Sequence, residues 1–321
     1  MKNYFRAGLF TLLAFLGVCL VSFAAHADSY PTKPIRFVVY TNPGGLIDVT
    51  IRKLAQVLEA EAVTMPVVVE NKSGAGGLVA IQHVLRQPAD GHTIFAVTSS
   101  VVSKAVQSKK SDKLQELGML VRLVDDYECL IVKRNGKYSR LEDLTRAMKD
   151  DTSRELWVGP AVGGTDHLFA VRFWNALGYK GTWIPYKSGS EAIAAILGGH
   201  ADVYVGNPQD ALGRDDLQIL AVAAPHRLAQ LPEVATFEES GLKELTGASL
   251  WRGLAVRGDT PDDIRITITE LLRKATEATQ WKDFVVSSGA QVIFESGKTF
   301  EDVVASQIES DSQLLQLLKA G

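Results

Sequence analysis

Two glycine turns carry the residue types that hold small anions. The first is Tyr40-Thr41-Asn42-Pro43-Gly44-Gly45-Leu46-Ile47-Asp48, set between an apolar run and a helical pattern. The second, Gly159-Pro160-Ala161-Val162-Gly163-Gly164-Thr165-Asp166-His167, has the same setting. A strand that turns through glycine into a helix leaves N–H groups without intrahelical partners, and the helix dipole adds positive potential there. Such a terminus favours a bound anion. Gly44 and Gly45 let the backbone approach a ligand, and Asp48 suits the first helical turn as a cap of free N–H groups. Thr165 and Asp166 are N-cap residue types, Thr165 adds a hydroxyl, and His167 is either a ligand contact or a structural histidine. Ser99 and Ser100, ending a third apolar run, and Asn207, ending another, place neutral donors where an α/β crevice ligand sits. Each of these residues has a plainer alternative as a turn or a cap. Neutral donors suit a receptor that must release its ligand, whereas a buried arginine pair binds more tightly and costs more desolvation. Two such turns facing each other would hold a small acid.

Other chemistries lack their residues. Asn71-Lys72-Ser73-Gly74-Ala75-Gly76-Gly77 invites a dinucleotide reading, but Val79 stands where a small residue is needed. There is no Walker A loop and no Gly-x-Ser-x-Gly elbow. The histidines at 83, 92, 167, 200 and 226 have no metal-ligand spacing. No metal, cofactor or catalytic residue is expected, and the chain reads as a non-enzyme. Charged residues are 22% of the 321 and the net charge is -3, with no basic stripe for nucleic acid.

The elements that position the turns alternate along the chain. Strands are predicted at 35–40, 67–70 and 93–98, with helices at 46–61 and 78–86 between them, an order that demands parallel strands and right-handed crossovers. The pattern restarts with strands at 130–133, 156–158, 183–186, 201–205 and 217–223, and helices at 168–177 and 190–197. The tail holds a strand at 253–256, one long helix over 261–279, a strand at 292–294 and a terminal helix over 300–319. Two α/β domains follow, residues 28–126 completed by 250–321, and residues 127–249. Lys2 and Arg6, the apolar run from Leu9 to Phe23 and Ala25-His26-Ala27 form a secretory signal with cleavage after Ala27. No later run reaches about 18 consecutive apolar residues, so the mature chain is expected to be soluble. Cys19 leaves with the signal, and Cys129 is then a lone thiol in an apolar stretch, expected to be buried and inert.

The segments around these turns resemble the periplasmic substrate-binding proteins of tripartite tricarboxylate transporters, the Bug receptors. Tyr30-Pro31-Thr32-Lys33-Pro34-Ile35-Arg36, Pro43-Gly44-Gly45 with Asp48, and Val67 through Gly77 carry the likeness. So do Asp90-Gly91-His92-Thr93, Ile184-Pro185-Tyr186-Lys187-Ser188-Gly189, Leu231 through Thr236 and Glu239-Ser240-Gly241. The resemblance spans nearly the whole mature chain. It implies a type II periplasmic binding protein fold, two α/β domains joined by two crossovers with the cleft between them. It implies a ligand carboxylate held by the loops Gly44 to Asp48 and Gly163 to His167, with Tyr40 and Tyr186 near them. It also implies integral membrane transporter subunits as partners; a sensor kinase is the alternative partner, and a secreted enzyme the alternative class. Ile47 stands where the family commonly has threonine, and Leu46 beside it is bulky, which points to a carboxylate with an apolar or aromatic body.

Overall fold

The computed structural model describes residues 30–150 and 154–320. The signal segment predicted over 1–27 lies outside them. The body from Lys33 onward is built on two sheets. The strands are β1 (Ile35–Val39), β2 (Val67–Asn71), β3 (Thr93–Thr98), β4 (Leu117–Asp125), β5 (Cys129–Lys133), β6 (Leu156–Pro160), β7 (Thr182–Tyr186), β8 (Val203–Gly206), β9 (Leu217–Val222), β10 (Arg252–Arg257) and β11 (Gln291–Ser296). The helices are α1 (Leu46–Glu61), α2 (Leu78–Leu85), α3 (Ser99–Gln107), α4 (Asp112–Gln115), α5 (Leu141–Met148), α6 (Thr165–Ala176), α7 (Gly189–Leu197), α8 (Asp262–Glu277), α9 (Thr279–Ser287) and α10 (Lys298–Ala320).

The first sheet runs β11-β4-β10-β3-β1-β2 and the second β7-β6-β8-β5-β9. β1 pairs in parallel with β2 and β3, as helices packed between successive strands require. β10 enters from the far end of the chain and pairs antiparallel with both β3 and β4. In the second sheet β6 is parallel to β7 and β8, and β5 is antiparallel to β8 and β9. The chain passes between the sheets twice, and the two passages pair with each other. Glu128 N–H donates to the Ala248 carbonyl at 3.0 Å, Leu250 N–H to the Asp126 carbonyl at 2.8 Å, and Tyr127 bridges Ser249 antiparallel.

Three elements differ from expectation. Ser99 and Ser100 do not end a strand; they open α3, capped by the Thr98 side chain, which accepts the Val101 N–H at 3.4 Å. β4 occupies residues to which no element was assigned. The helix expected over 261–279 breaks at Ala278, whose ψ of 137° is extended, and the break turns Trp281 of α9 into the core. Cys129 is buried, and burial pushes its thiol well above the ordinary range, the inert state expected of it. Among the described residues no helix is long and apolar enough to cross a membrane.

α10 is seated on both sheets' cores. Phe300 and Val304 belong to the cluster containing Phe95 and Trp251, while Leu314 and Leu318 pack against the cluster around Trp157. Between those ends Asp311 accepts a hydrogen bond from Ser103 at 2.7 Å, and Gln307 donates to the Ser99 carbonyl at 3.0 Å.

Candidate functional site

Asp48 organises the first glycine loop. Its Oδ2 accepts the Gly44 N–H at 2.8 Å and the Arg52 Nε–H at 3.0 Å, and its Oδ1 accepts from Asn71 Nδ2 at 2.8 Å. Asn71 also donates to the Thr41 carbonyl at 2.9 Å. Burial pushes the Asp48 carboxyl up, but the donors from Arg52, Gly44 and Asn71 outweigh it and hold its pKa below the usual carboxylate value. Asp48 thus serves the loop, with its oxygens turned to the protein. Gly44 takes φ +85°, which only glycine adopts cheaply, and Gly45 caps α1 with no side-chain bond. Tyr40 OH lies 2.8 Å from Thr98 Oγ1, and Asn42 is exposed. Ile47 corrects an expectation. It is 3% exposed and packed inward, so it offers no apolar wall to a ligand. α1 starts at Leu46, and each residue advances about 100° around the axis, so 47, 48, 50 and 51 face the core while Leu46, 37% exposed, faces out.

His167 does the corresponding work in the second loop. Its Nδ1 accepts the Gly163 N–H at 3.0 Å, its ring stacks on Trp183 at 4.7 Å, and burial pushes its pKa down to about 4. It is neutral and structural. Trp183 Nε1 donates to the Ala161 carbonyl at 2.8 Å, and the Ala161 N–H donates to the Tyr186 carbonyl at 3.1 Å. Gly163 takes φ +71°. Gly164 is the N-cap of α6, so Thr165 and Asp166 are its first helical residues rather than caps. Gly159 and Pro160 belong to β6, where a Cβ on Gly159 would meet Trp183 at 2.5 Å.

The structure brings three of the expected residues together across the two sheets. Ser100 Oγ lies 3.2 Å and Ser99 Oγ 3.4 Å from Thr165 Oγ1, so the N-termini of α3 and α6 meet through hydroxyls. Gln107 of α3 also donates to the Val162 carbonyl at 3.0 Å. Asn207 is buried and ties the end of β8 to the first passage, donating to the Asp126 carbonyl at 2.9 Å. The bonds of the first loop return instead to its own sheet and helix.

A group of acids, two of them fully buried and two half-buried, was missed. Asp126, Glu128, Asp166 and Asp210 gather where β5 begins, β8 ends and α6 starts. Arg252 Nη2 reaches Asp126 Oδ2 at 2.5 Å, with Gln209 Nε2 at 3.2 Å from the same oxygen. Asp210 accepts from Tyr204 OH at 2.8 Å and the Asn207 N–H at 3.0 Å. Glu128 is 0% exposed, and no N–H or hydroxyl donor reaches either of its oxygens. Burial, with the charges of Asp166 and Asp126 nearby, pushes Glu128 well above the ordinary range, and burial lifts Asp166 to about 7. The signal was three acids, Asp125, Asp126 and Glu128, inside a stretch from Leu117 to Val132 whose one other charged residue is Arg122. A cavity of about 640 Å³ between α6, α10 and the second passage is lined by Glu128, Thr165, Phe169, Arg172, Trp251 and Gln307 among others. Of the expected residues, only Thr165 lines it.

Because Asp166 holds its proton up to about pH 7 in the fold and to about 3.8 by its ordinary value, its contribution is full below pH 3.8 and is lost as pH rises through 7. Asp166→Asn, which stays neutral, should therefore gain melting temperature relative to the unaltered protein as pH is raised from 4 to 8. Parallel melting curves that do not diverge over that range would contradict the burial of this group as an acid.

A family model described as the tripartite tricarboxylate transporter family receptor matches residues 50–319. The chain is 29% identical to protein BugT of Bordetella pertussis over 291 residues, covering 87% of this chain and 88% of that one. It is 25% identical over 316 residues to an uncharacterised-family protein of Cupriavidus necator encoded in the gbd 5′ region, covering 98% and 96%. In structure it is similar to a TctC solute-binding protein from Polaromonas, with TM-score 0.79, 22% identity and coverage of 90% and 99%. It is also similar to the periplasmic binding protein BugD, with TM-score 0.73, 23% identity and coverage of 89% and 98%.

Proposed function

Because the chain belongs to the tripartite tricarboxylate transporter receptor family, we propose that it is a periplasmic receptor that captures a small organic acid between its two sheets and delivers it to integral membrane subunits. The observation that carries this is the meeting of the α3 and α6 N-termini through Ser99, Ser100 and Thr165. Helix termini of this kind offer N–H groups and positive potential to a carboxylate, and hydroxyls add neutral donors. Two proteins of the same fold hold dicarboxylic acids, one malate and one adipate, at 19% and 21% identity. The ligand's apolar contacts fall to Leu46 and Val162, one exposed on each loop, in place of Ile47. Each sheet with its helices forms a domain, residues 28–126 with 250–321 and residues 127–249. Closure turns on the paired passages at 126–128 and 248–250. The signal segment sends the chain across the inner membrane, with the mature protein starting at Asp28.

A thermal-shift screen over aliphatic and aromatic mono- and dicarboxylates tests the proposal, since a ligand that binds only the native state raises its melting point. At least one acid should do so, and a flat screen overturns the assignment. Thr165→Val should weaken the best acid about 10- to 100-fold, the value of one hydrogen bond to a charged group. Titration calorimetry reads that loss directly.

A further inference from the structure

We propose that Lys104 and Gln107 are positioning residues: they clasp the second glycine loop to α3 and so hold its N–H groups and Thr165 where a ligand carboxylate meets them. This rests on the receptor assignment and adds to it the residues that fix one wall of the site.

The clasp is a side-chain amide with a determined orientation. Gln107 Nε2 donates to the Val162 carbonyl at 3.0 Å, and Gln107 Oε1 accepts from Lys104 Nζ at 2.7 Å. An ammonium can meet only the amide oxygen and a carbonyl only the amide nitrogen, so the two partners fix which way the amide points. Among the described residues Lys104 has no carboxylate partner to draw its ammonium off the amide. The glycine turn over 71–77 supports this pair from the other side. Gly76 takes φ +61° and Gly77 φ +103°. A Cβ on Gly76 would run into the Lys104 stem, and one on Gly77 would meet Val101 at 2.8 Å. α3 therefore lies directly on that turn, which sets the path of the Lys104 side chain. Gly163 plays the same part in the second loop: it takes φ +71°, and a Cβ there would run into the Gln107 amide. Glycines on both sides leave the room that the two side chains fill.

The loop needs such a hold. Ala161 takes φ +55° and Gly163 φ +71°, so two left-handed residues flank Val162. A non-glycine residue keeps that conformation only where its surroundings determine it. On the inner side they do: Ala161 is engaged through its N–H by Tyr186 and through its carbonyl by Trp183, and the Gly163 N–H is engaged by His167. Val162 between them is 55% exposed, and its carbonyl is met by Gln107. Gln107 ends α3, and Ser99 and Ser100, which open the same helix, meet Thr165. The two ends lie about 10 Å apart along the axis. The segment 162–165 is thus fastened to one helix at two points, and releasing the Gln107 end frees Gly163 and Gly164 to shift relative to Ser99 and Ser100.

Hydrogen exchange read by mass spectrometry on the ligand-free protein tests the clasp, with the variants Gln107→Met, Gln107→Glu and Lys104→Met. Methionine keeps the length and neutrality of glutamine without its donor, and glutamate keeps the partner for Lys104 but has no N–H for the Val162 carbonyl. The amides of 161–165 should exchange about 3- to 10-fold faster in both Gln107 variants, the value of one neutral hydrogen bond, while the melting point stays in place. Lys104→Met, which leaves the amide without its orienting cation, should give a smaller change of the same sign. The acids of the thermal-shift screen serve as probes in titration calorimetry, and those that bind should bind about 3- to 10-fold more weakly to Gln107→Met, a variant that changes no charge. A side chain that merely filled space would move neither reading. Exchange over 161–165 that is the same in all four proteins overturns the clasp and leaves the receptor assignment standing. Faster exchange with unaltered affinity overturns the positioning role. A flat thermal screen overturns the receptor assignment and with it the role in binding, while the exchange rates still decide the clasp.

Discussion

Replacing Arg252 with methionine should cost about 3–5 kcal/mol of stability, the range for removing one partner of a buried ion pair. Arg252 opens β10 and Asp126 stands in the first passage between sheets, so their 2.5 Å contact joins the first sheet to that passage. Both side chains are out of solvent, and Asp126 Oδ1 has no hydrogen-bond partner. Burial already pushes Asp126 up to about 6 even with the guanidinium beside it. Without Arg252 the carboxyl would have to take up a proton or lie charged in an apolar setting, and either outcome weakens the fold at neutral pH. The double variant Asp126→Asn with Arg252→Met should recover much of the loss, because no charge is then stranded. Urea denaturation of the four proteins as a double-mutant cycle measures this. A single-variant cost below about 1 kcal/mol, the value of an exposed pair, would show that the contact is not the buried bridge described.

Trp157→Ala should be as damaging, at about 3–5 kcal/mol. Trp157 is the second residue of β6 and has no exposure, tilted against Phe173 at 5.3 Å and edge-on to Trp174 at 5.6 Å. The loss combines transferred surface with the cavity left in a rigid cluster. Its indole N–H, however, is buried without a hydrogen-bond partner. Trp157→Phe removes that unmet donor along with part of the ring, so it should cost far less than alanine does. Because β6 leads directly into the Gly163–Thr165 turn, the alanine variant should also lose ligand binding, while the phenylalanine variant keeps it. Denaturation midpoints and calorimetric titration of both variants check the pair of outcomes. Equal losses in the two would mean that the ring system as a whole is not what the core is packed around.

The parts of the fold readable in the sequence were those encoded locally. β1, α1, β2, α2 and β3 alternate cleanly, and both glycine turns stand out between them. α3 was hidden because Ser99–Gln107 holds three serines and the β-branched Val101, Val102 and Val106, a poor helical segment by propensity. It is helical because Val101, Val102 and Ala105 bury against the first sheet, a tertiary cause. β4 is a nearly continuous buried run without alternation, and its partner β10 comes from more than a hundred residues further on. The candidate site shows the same division. Ser99, Ser100 and Thr165 meet at the N-termini of two helices, the first of which the sequence did not reveal. Asp48 and His167 turned inward to hold their loops, because a loop with so many free N–H groups needs acceptors of its own. The Glu128–Asp166 pair joins residues distant in the chain, and no local pattern marks one acid as the neighbour of another so far along.

The 23-residue helix that closes the chain has a mechanical consequence. It is fastened at Phe300 and Val304 on one side and at Leu314 and Leu318 on the other. A hydrogen-bonded rod does not stretch, so the two halves it joins cannot move straight apart without tearing one set of these anchors free. What it permits is a swing, as of a door on its pin, with the pivot near the rod and the widest travel at the edge most remote from it. Residues beside the rod, among them Ser103 and Trp251, would keep their neighbours through the whole stroke, whereas Leu46 and the exposed tip of the first glycine turn would travel furthest.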